Sequence, residues 1–227
     1  MKRLSILVLT ISGILAQAQA IPPGNYIRIG GDSTLTVASN NTFSINTLGR
    51  NGHTCDVSGV IQGLTGTSDE GACVIDFKSQ GKRLSVDTKT VDECKYFCGA
   101  NAGILGLYIK PSLSCTDIAI ARSRKSFKNF YDRKDFATAV KTLEPLLARC
   151  EPLIHWMQLG WIRNDLALAQ HKEGNNSACL QTLKSLSADA AKTDVEIREE
   201  YPPIDADIYL PILKATRTNL KLCKTVR

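Results

Sequence analysis

The spacing of apolar residues changes once along this chain, near residue 115, and that change sets what the chain can fold into. Up to this point, short runs of alternating apolar and polar residues are separated by turns rich in Gly, Asn and Asp. A period of two is typical of antiparallel strands, and about seven such runs in roughly 90 residues predict a small β-barrel or sandwich over residues 21–115. The runs lie at residues 26–29, 35–37, 43–45, 57–61, 73–77, 84–86 and 107–109.

Beyond residue 115 the apolar residues recur every three or four positions, which is the spacing of amphipathic helices. The pattern predicts four or five helices over residues 116–227, with Asp117 as the N-cap of the first. Pro202 and Pro203 must precede the last helix, because proline inside a helix removes a hydrogen bond and clashes with the preceding turn. The expected class is therefore α+β, with a small antiparallel β-domain followed by a helical layer.

A weak internal repeat runs through the helical half. The segment from Phe136 to Leu146 aligns with the segment from Asn176 to Leu186 at an offset of 40 residues, and a short polar link precedes each. Repeated helix pairs at such a period are typical of stacked helical arrays. Residues 120–190, and 166–175 in particular, resemble a tetratricopeptide repeat, although the spacing exceeds the roughly 34 residues of that family. The resemblance implies a scaffold that holds peptides or proteins in a groove without chemistry of its own.

The first twenty residues have the pattern of an export signal. Lys2 and Arg3 precede a nearly unbroken apolar run over residues 4–15, and Ala18 and Ala20 supply the small side chains that precede a cleavage site. The run is about a dozen residues long, whereas a membrane span needs about 20. We therefore expect residues 1–20 to be a signal peptide cleaved after Ala20, and the mature chain to be periplasmic or secreted with no membrane span.

Eight cysteines are a second constraint, because an even number of Cys in an exported chain is typical of disulfides. A zinc site is the alternative, but the chain has no C-x2-C pair and only three histidines. We expect one bridge across a hairpin, one at the boundary between the halves, and one that ties the last helix to the repeat. The hairpin bridge joins Cys55 to Cys73, the boundary bridge joins Cys94 or Cys98 to Cys115, and the bridge to the last helix joins Cys179 to Cys223. Cys150 completes the set of eight disulfide candidates.

The sequence contains no recognisable catalytic motif. It has no G-x-S-x-G elbow, no H-E-x-x-H pair and no phosphate-binding loop of the Walker type. His53, His155 and His171 each have an ordinary interpretation as a turn, boundary or helix-end residue, and the acidic residues cluster over 189–207 beside the two prolines. We therefore predict no catalytic residue, no metal site and no cofactor.

The most distinctive stretch is residues 156–166, which holds both tryptophans of the chain. On a helix, Trp161 and Asp165 share one face. Two interpretations stay open: either the tryptophans fill the core while Arg163 pairs with an acid on a neighbouring helix, or they form the wall of a groove that anchors a partner. The candidate partner-binding residues are Trp156, Trp161, Arg163, Asn164, Asp165 and His171, together with Lys214, Arg217 and Lys221 of the last helix.

The chain carries a mild positive charge, which is +6 at pH 7 and falls to +4 once Lys2 and Arg3 are removed. This excess favours an acidic partner, either another protein or an anionic envelope component, and nucleic acid is not expected outside the cytoplasm. The leading hypothesis is a secreted or periplasmic protein-interaction module, in its specific form an inhibitor or immunity protein against a cell-envelope hydrolase. The alternatives are an envelope-polymer hydrolase and a structural envelope protein with no catalytic role.

Overall fold

The computed structural model describes residues 20–225, which form an antiparallel β-barrel followed by helices. Each strand pairs with the next along the chain, and the first pairs with the last, so the sheet closes on itself. This confirms the predicted α+β class and selects the barrel over the sandwich. The strands are β1 (Gly24–Arg28), β2 (Ser33–Val37), β3 (Thr42–Leu48), β4 (Thr54–Gln62), β5 (Thr65–Ser68), β6 (Val74–Gln80), β7 (Arg83–Thr88) and β8 (Gly106–Ile109).

Alternation along each strand fills the inside of the barrel. In β4 every second residue is buried and those between are exposed, as the period of two requires. Large side chains that are at most 1% exposed occupy the interior, among them Tyr26, Leu35, Ile45 and Phe77. Tyr108 also lies inside, and its hydroxyl donates to a backbone carbonyl at 2.7 Å, so its polar end is satisfied. The interior is therefore a packed hydrophobic core.

The sequence pattern misses strand β5, which lies between β4 and β6. The predicted hairpin that would join Cys55 to Cys73 is therefore wrong, because another strand separates their strands. Cys55 bonds to Cys98 and Cys73 bonds to Cys94, so both bridges tie the segment after β7 to the barrel wall. The predicted link of Cys94 or Cys98 to Cys115 is wrong as well, since both are already bonded within the barrel.

Seven helices follow the barrel among the described residues, where four or five are expected from the sequence. Thr116 is the N-cap of the first, because its side-chain oxygen accepts from the Ala119 backbone N–H at 3.3 Å, so the prediction of Asp117 is wrong. Pro202 is the N-cap of the last helix and Pro203 is its first residue, so the prediction that both prolines precede the helix holds for Pro202 only. A short helix α1 (Val91–Lys95) precedes β8, and the later ones are α2 (Asp117–Asp132), α3 (Phe136–Cys150), α4 (Trp156–Lys172), α5 (Asn176–Leu183), α6 (Ser187–Ala191), α7 (Asp194–Glu200) and α8 (Pro203–Lys224).

The helix pairs α2–α3 and α4–α5 are joined by the same turn at an offset of 40 residues. Lys134 and Gly174 have positive φ and end the first helix of each pair. The next residues, Asp135 and Asn175, donate their N–H to a carbonyl five residues earlier, and their side chains cap the following helix. Each link is thus a Schellman ending that runs directly into an N-cap. The likeness to the tetratricopeptide family stays a prediction.

Two further disulfides hold the helices. Cys115, just before α2, bonds to Cys150 at the end of α3. Cys179 in α5 bonds to Cys223 near the end of α8, which confirms that predicted pair. No free cysteine remains in the described part of the chain. Four disulfides fit an extracellular or other oxidising compartment.

The barrel and the helices share a hydrophobic seam. Ile27 of β1 is buried, and it packs in the same cluster as Ile154 and Ile120 from the helical half. Gly31 has a φ of +70°, and a Cβ at that position would lie 2.3 Å from the backbone nitrogen of His155. Only glycine permits this approach of two backbones at this φ.

The predicted signal peptide, residues 1–20, lies outside the described residues apart from Ala20. The signal and its cleavage site therefore stay predictions. Within residues 20–225, none of the helices has the length and apolar character needed to cross a membrane.

Candidate functional site

Helix α4 carries most of the predicted partner-binding residues and directs them to different places. Trp161 and Asp165 lie one turn apart on its open face, where Trp161 is 36% exposed. Asn164 lies deeper between α4 and α8 and is 3% exposed. Arg163 extends to the carbonyl of Thr182 in α5. Trp161 and Asp165 are therefore the members of this stretch that a partner can reach.

A groove runs along the open face of α4, between α2 on one side and α8 on the other. It consists of two adjoining hollows, of about 620 Å³ on the α2 side and about 370 Å³ on the α8 side, and Asp165 and Leu168 line both. We call this surface the α4 groove. Its lining from the neighbouring helices includes Arg124, Lys125, Lys128 and Tyr131 of α2, and Lys214 and Thr218 of α8.

An incompletely satisfied ion pair lies in the α4 groove. Arg124 Nη2 is 3.4 Å from Asp165 Oδ2, which is long for a charge-assisted hydrogen bond. The Nε atom of Arg124 is buried and has no hydrogen-bond partner among the described residues. Burial raises the pKa of the Asp165 carboxyl above its usual value, and the nearby Arg124 opposes that rise. The pair therefore keeps hydrogen-bonding capacity that the protein itself does not use.

Asn164 belongs to a buried polar network that joins α4 to α8. Its Nδ2 donates to the carbonyl of Gly160 at 2.9 Å and to Thr216 Oγ1 at 2.9 Å. Its Oδ1 accepts from Asn219 Nδ2 at 3.0 Å. Its amide group is thus occupied by neighbours in the fold, and the contacts give Asn164 a role in holding the walls of the α4 groove together.

Arg163 and His171 also have partners within the fold. Arg163 Nη2 donates to the Glu151 carboxylate, and its Nη1 donates to the Thr182 carbonyl at 3.1 Å. This is the acid pairing that the structural interpretation of Arg163 expects. His171 is buried, and its Nδ1 is 2.8 Å from the side-chain oxygen of Asn176. The structure does not bring either residue into the α4 groove.

Trp156 lies at the seam between the barrel and the helices. Its ring packs against Tyr209, with centroids 4.8 Å apart, and the Arg50 guanidinium lies 5.6 Å from its centroid. Arg50 in turn pairs with the buried Asp205. Beside Trp156, burial lowers the pKa of the His155 imidazole. These contacts make Trp156 part of the seam, away from Trp161.

The predicted basic residues of α8 fall on two of its faces. Lys214 lines the α4 groove, whereas Arg217 and Lys221 line a separate groove between α5 and α8. Arg217 is fully engaged there, since it donates to two backbone carbonyls and to Asp194, the last at 2.6 Å. The predicted set is therefore divided between two surfaces.

Sequence reasoning does not select two residues that line the α4 groove, Tyr131 in its α2-side hollow and Leu168 in both hollows. Leu168 lies seven residues after Trp161, a helical spacing that could have identified it. Tyr131 could not be found this way, because its position depends on how α2 packs beside α4. Burial raises the pKa of its hydroxyl, and the charges of Asp165 and Asp132 raise it further.

Among residues 20–225, no group of three or more His, Cys, Asp or Glu side chains is placed to hold a metal ion. No protein-family model, curated protein sequence or solved structure matches this chain.

Proposed function

We propose that this chain is a secreted or periplasmic protein-interaction module that binds a partner protein through the α4 groove. In its specific form, the partner is a hydrolase of the cell envelope and the chain is its inhibitor or immunity protein. The observation that carries the proposal is the exposed Trp161 beside the incompletely paired Arg124 and Asp165.

Physical chemistry supports a protein partner at such a place. Trp and Arg dominate the binding energy of protein interfaces, because they bury a large area and offer donors of fixed geometry. A buried donor without a partner costs about 1–3 kcal/mol. Nε itself is closed to a partner, but the Arg124 side chain is 35% exposed and its contact with Asp165 is long, so an acceptor on the partner can compete for the guanidinium.

The rim of the α4 groove favours an acidic partner. Lys125 and Lys214 are exposed on its two sides, and neither makes an ion pair within residues 20–225. Lys128 is paired with Asp132 at 2.6 Å. Unpaired rim cations speed the approach of an acidic surface more than they tighten the final complex.

The proposal is tested by quantitative capture from an envelope extract with the oxidised mature chain, residues 21–227, as bait. Wild type is compared with Trp161→Ala and Lys214→Glu, and the control is Lys141→Glu, an exposed lysine of α3 outside the α4 groove. We expect one stoichiometric partner that Trp161→Ala loses, that Lys214→Glu captures more slowly, and that the control retains as wild type does. The purified partner should be a hydrolase whose activity falls on titration with wild type.

Equal capture by all four proteins would contradict the α4 groove as the binding surface. A partner without hydrolase activity would contradict the inhibitor form while leaving the interaction itself in place. Capture of no partner would count against the interaction module and favour a structural envelope protein.

An envelope-polymer hydrolase is the second candidate, favoured by one observation. The raised pKa of Asp165 is a property of a general acid, which must be protonated at working pH. A second carboxylate, Asp132, lines the same hollow but is paired with Lys128. Release of soluble fragments from purified envelope polymer by wild type, and its loss in Asp165→Asn, would support this candidate over the first.

A further inference from the structure

A second groove lies on another face of α8, between that helix and α5–α6. Its volume is about 950 Å³. Small and apolar side chains form its floor, among them Ala178 and Leu180 of α5 and Leu220 of α8. We call it the lysine groove, because Lys184, Lys221 and Lys224 line it.

The charges in the lysine groove are of one sign. No carboxylate is among its lining residues, and its three lysines are exposed and make no ion pair within the described chain. Arg217, which also lines it, is already bonded to Asp194 and to two carbonyls. The three lysines are therefore the charges that a ligand can neutralise.

A disulfide fixes the two walls of the lysine groove. Cys179 lies in α5 between lining residues Ala178 and Leu180, and it bonds to Cys223, which adjoins Lys224 in α8. Both cysteines are buried below the surface. Walls that are already held in place do not have to be ordered on binding, so less free energy is lost when a ligand enters.

From these features we propose that the lysine groove binds an acidic amphipathic segment of a second protein. The apolar floor takes the apolar face of that segment, and the lysines on both walls pair with its carboxylates. A purely anionic polymer would satisfy the lysines but would leave Leu180 and Leu220 uncovered. This site is separate from the α4 groove, and its test does not depend on the proposed function.

The test uses a fluorescent synthetic peptide of about 18 residues, long enough to form a helix, with Glu and Leu on opposite faces. Two matched peptides replace every Glu by Gln or every Leu by Ser. Fluorescence anisotropy is measured with the oxidised mature chain. We expect saturable binding of the first peptide, and binding roughly tenfold weaker for each of the other two.

Variants locate the binding on the protein. Lys221→Glu with Lys224→Glu should weaken it by roughly tenfold or more, because each change replaces an attraction by a repulsion. Lys184→Glu changes the opposite wall and tests the same prediction if the double variant fails to fold, which circular dichroism reports. The control Lys141→Glu changes an exposed lysine of α3 outside both grooves and should leave the affinity within about twofold.

Three results would overturn the proposal. One is no saturable binding up to about 1 mM peptide, the weak end of specific affinities. Another is equal affinity for the Leu and Ser peptides, which would mean that the groove attracts any polyanion. The third is an affinity that the lysine-groove variants leave unchanged.

Discussion

Removing the Cys179–Cys223 bridge should cost this protein a large part of its stability. The bridge joins residues 44 apart in sequence and closes α8 onto α5. In the chain-entropy description, closing a loop of that length lowers the entropy of the unfolded chain by about 13 cal/mol/K. At 25 °C this stabilises the folded state by about 4 kcal/mol. Since small domains are stable by about 5–15 kcal/mol, the double replacement Cys179→Ala and Cys223→Ala should leave a marginal fold.

The assay is urea unfolding followed by far-UV circular dichroism and by the fluorescence of the two tryptophans, which both lie in α4. The matched control replaces Cys73 and Cys94, whose bridge spans 21 residues and should contribute about 3.3 kcal/mol by the same relation. All four cysteines are buried, so the cost of truncating them largely cancels between the variants. A loss below about 1 kcal/mol for Cys179 and Cys223, or one smaller than for the control, would refute the reasoning.

Three further changes test the seam, the polar network and the α4 groove. Asn164→Leu should lower the free energy of unfolding by about 1–3 kcal/mol in urea titrations, because it removes the buried hydrogen bonds of the Asn164 amide to Thr216 Oγ1 and from Asn219 Nδ2. Asn219 keeps only the backbone carbonyl of residue 164 as its acceptor there. Gly31→Ala should lose about 2–4 kcal/mol, whereas Gly63→Ala, also at positive φ but with open space around it, should lose less than half of that. Burial raises the pKa of Asp165 in the folded state above the ordinary value of 3.8. Folding is therefore favoured more with Asp165 protonated than with it ionised. This contribution to the free energy of unfolding is present below about pH 4 and is lost as pH rises through the folded-state pKa. Asp165→Asn should therefore raise the Tm at pH 7 and leave it nearly unchanged near pH 4, and a lower Tm at pH 7 would contradict this.

The two halves of the fold follow from local periodicity, which the sequence displays directly. Strand β5 is the exception, because Thr65–Ser68 contains no large apolar residue. Its two buried positions are Gly66 and Ser68. A Cβ added at Gly66 would lie 2.8 Å from the ring of Phe77 and 3.0 Å from the ring of Phe43. The apolar side chains that fill this part of the barrel come from neighbouring strands, so the strand itself lacks an alternating pattern.

Disulfide pairing depends on which elements are neighbours in space. The pairing of Cys55 with Cys73 is predicted from a hairpin that the intervening strand β5 removes. The pairing of Cys179 with Cys223 needs only that the last helix folds back on the repeat, and the structure confirms it. Periodicity along the chain can therefore support the pairing of Cys179 with Cys223, but it cannot support a pairing that depends on which strands are neighbours in the sheet.

The candidate site is predictable in part for the same reason. The shared face of Trp161 and Asp165 follows from 3.6 residues per turn. The approach of Arg124 depends on how α2 packs beside α4, and the burial of Asn164 and His171 depends on partners in α8 and α5. Those contacts join different helices, and the periodicity of a single helix says nothing about them.

The affinity of the captured partner for wild type and for Trp161→Ala decides whether the α4 groove is the binding surface, and isothermal titration calorimetry measures it. Trp161 is 36% exposed, so its truncation also removes contacts within the fold, and the comparison holds when the circular dichroism of the variant matches that of wild type. If the partner binds in the α4 groove, the variant should bind at least about 30-fold more weakly, as expected when a central Trp contributes about 2 kcal/mol or more. Dissociation constants within about threefold of each other would contradict binding at this surface.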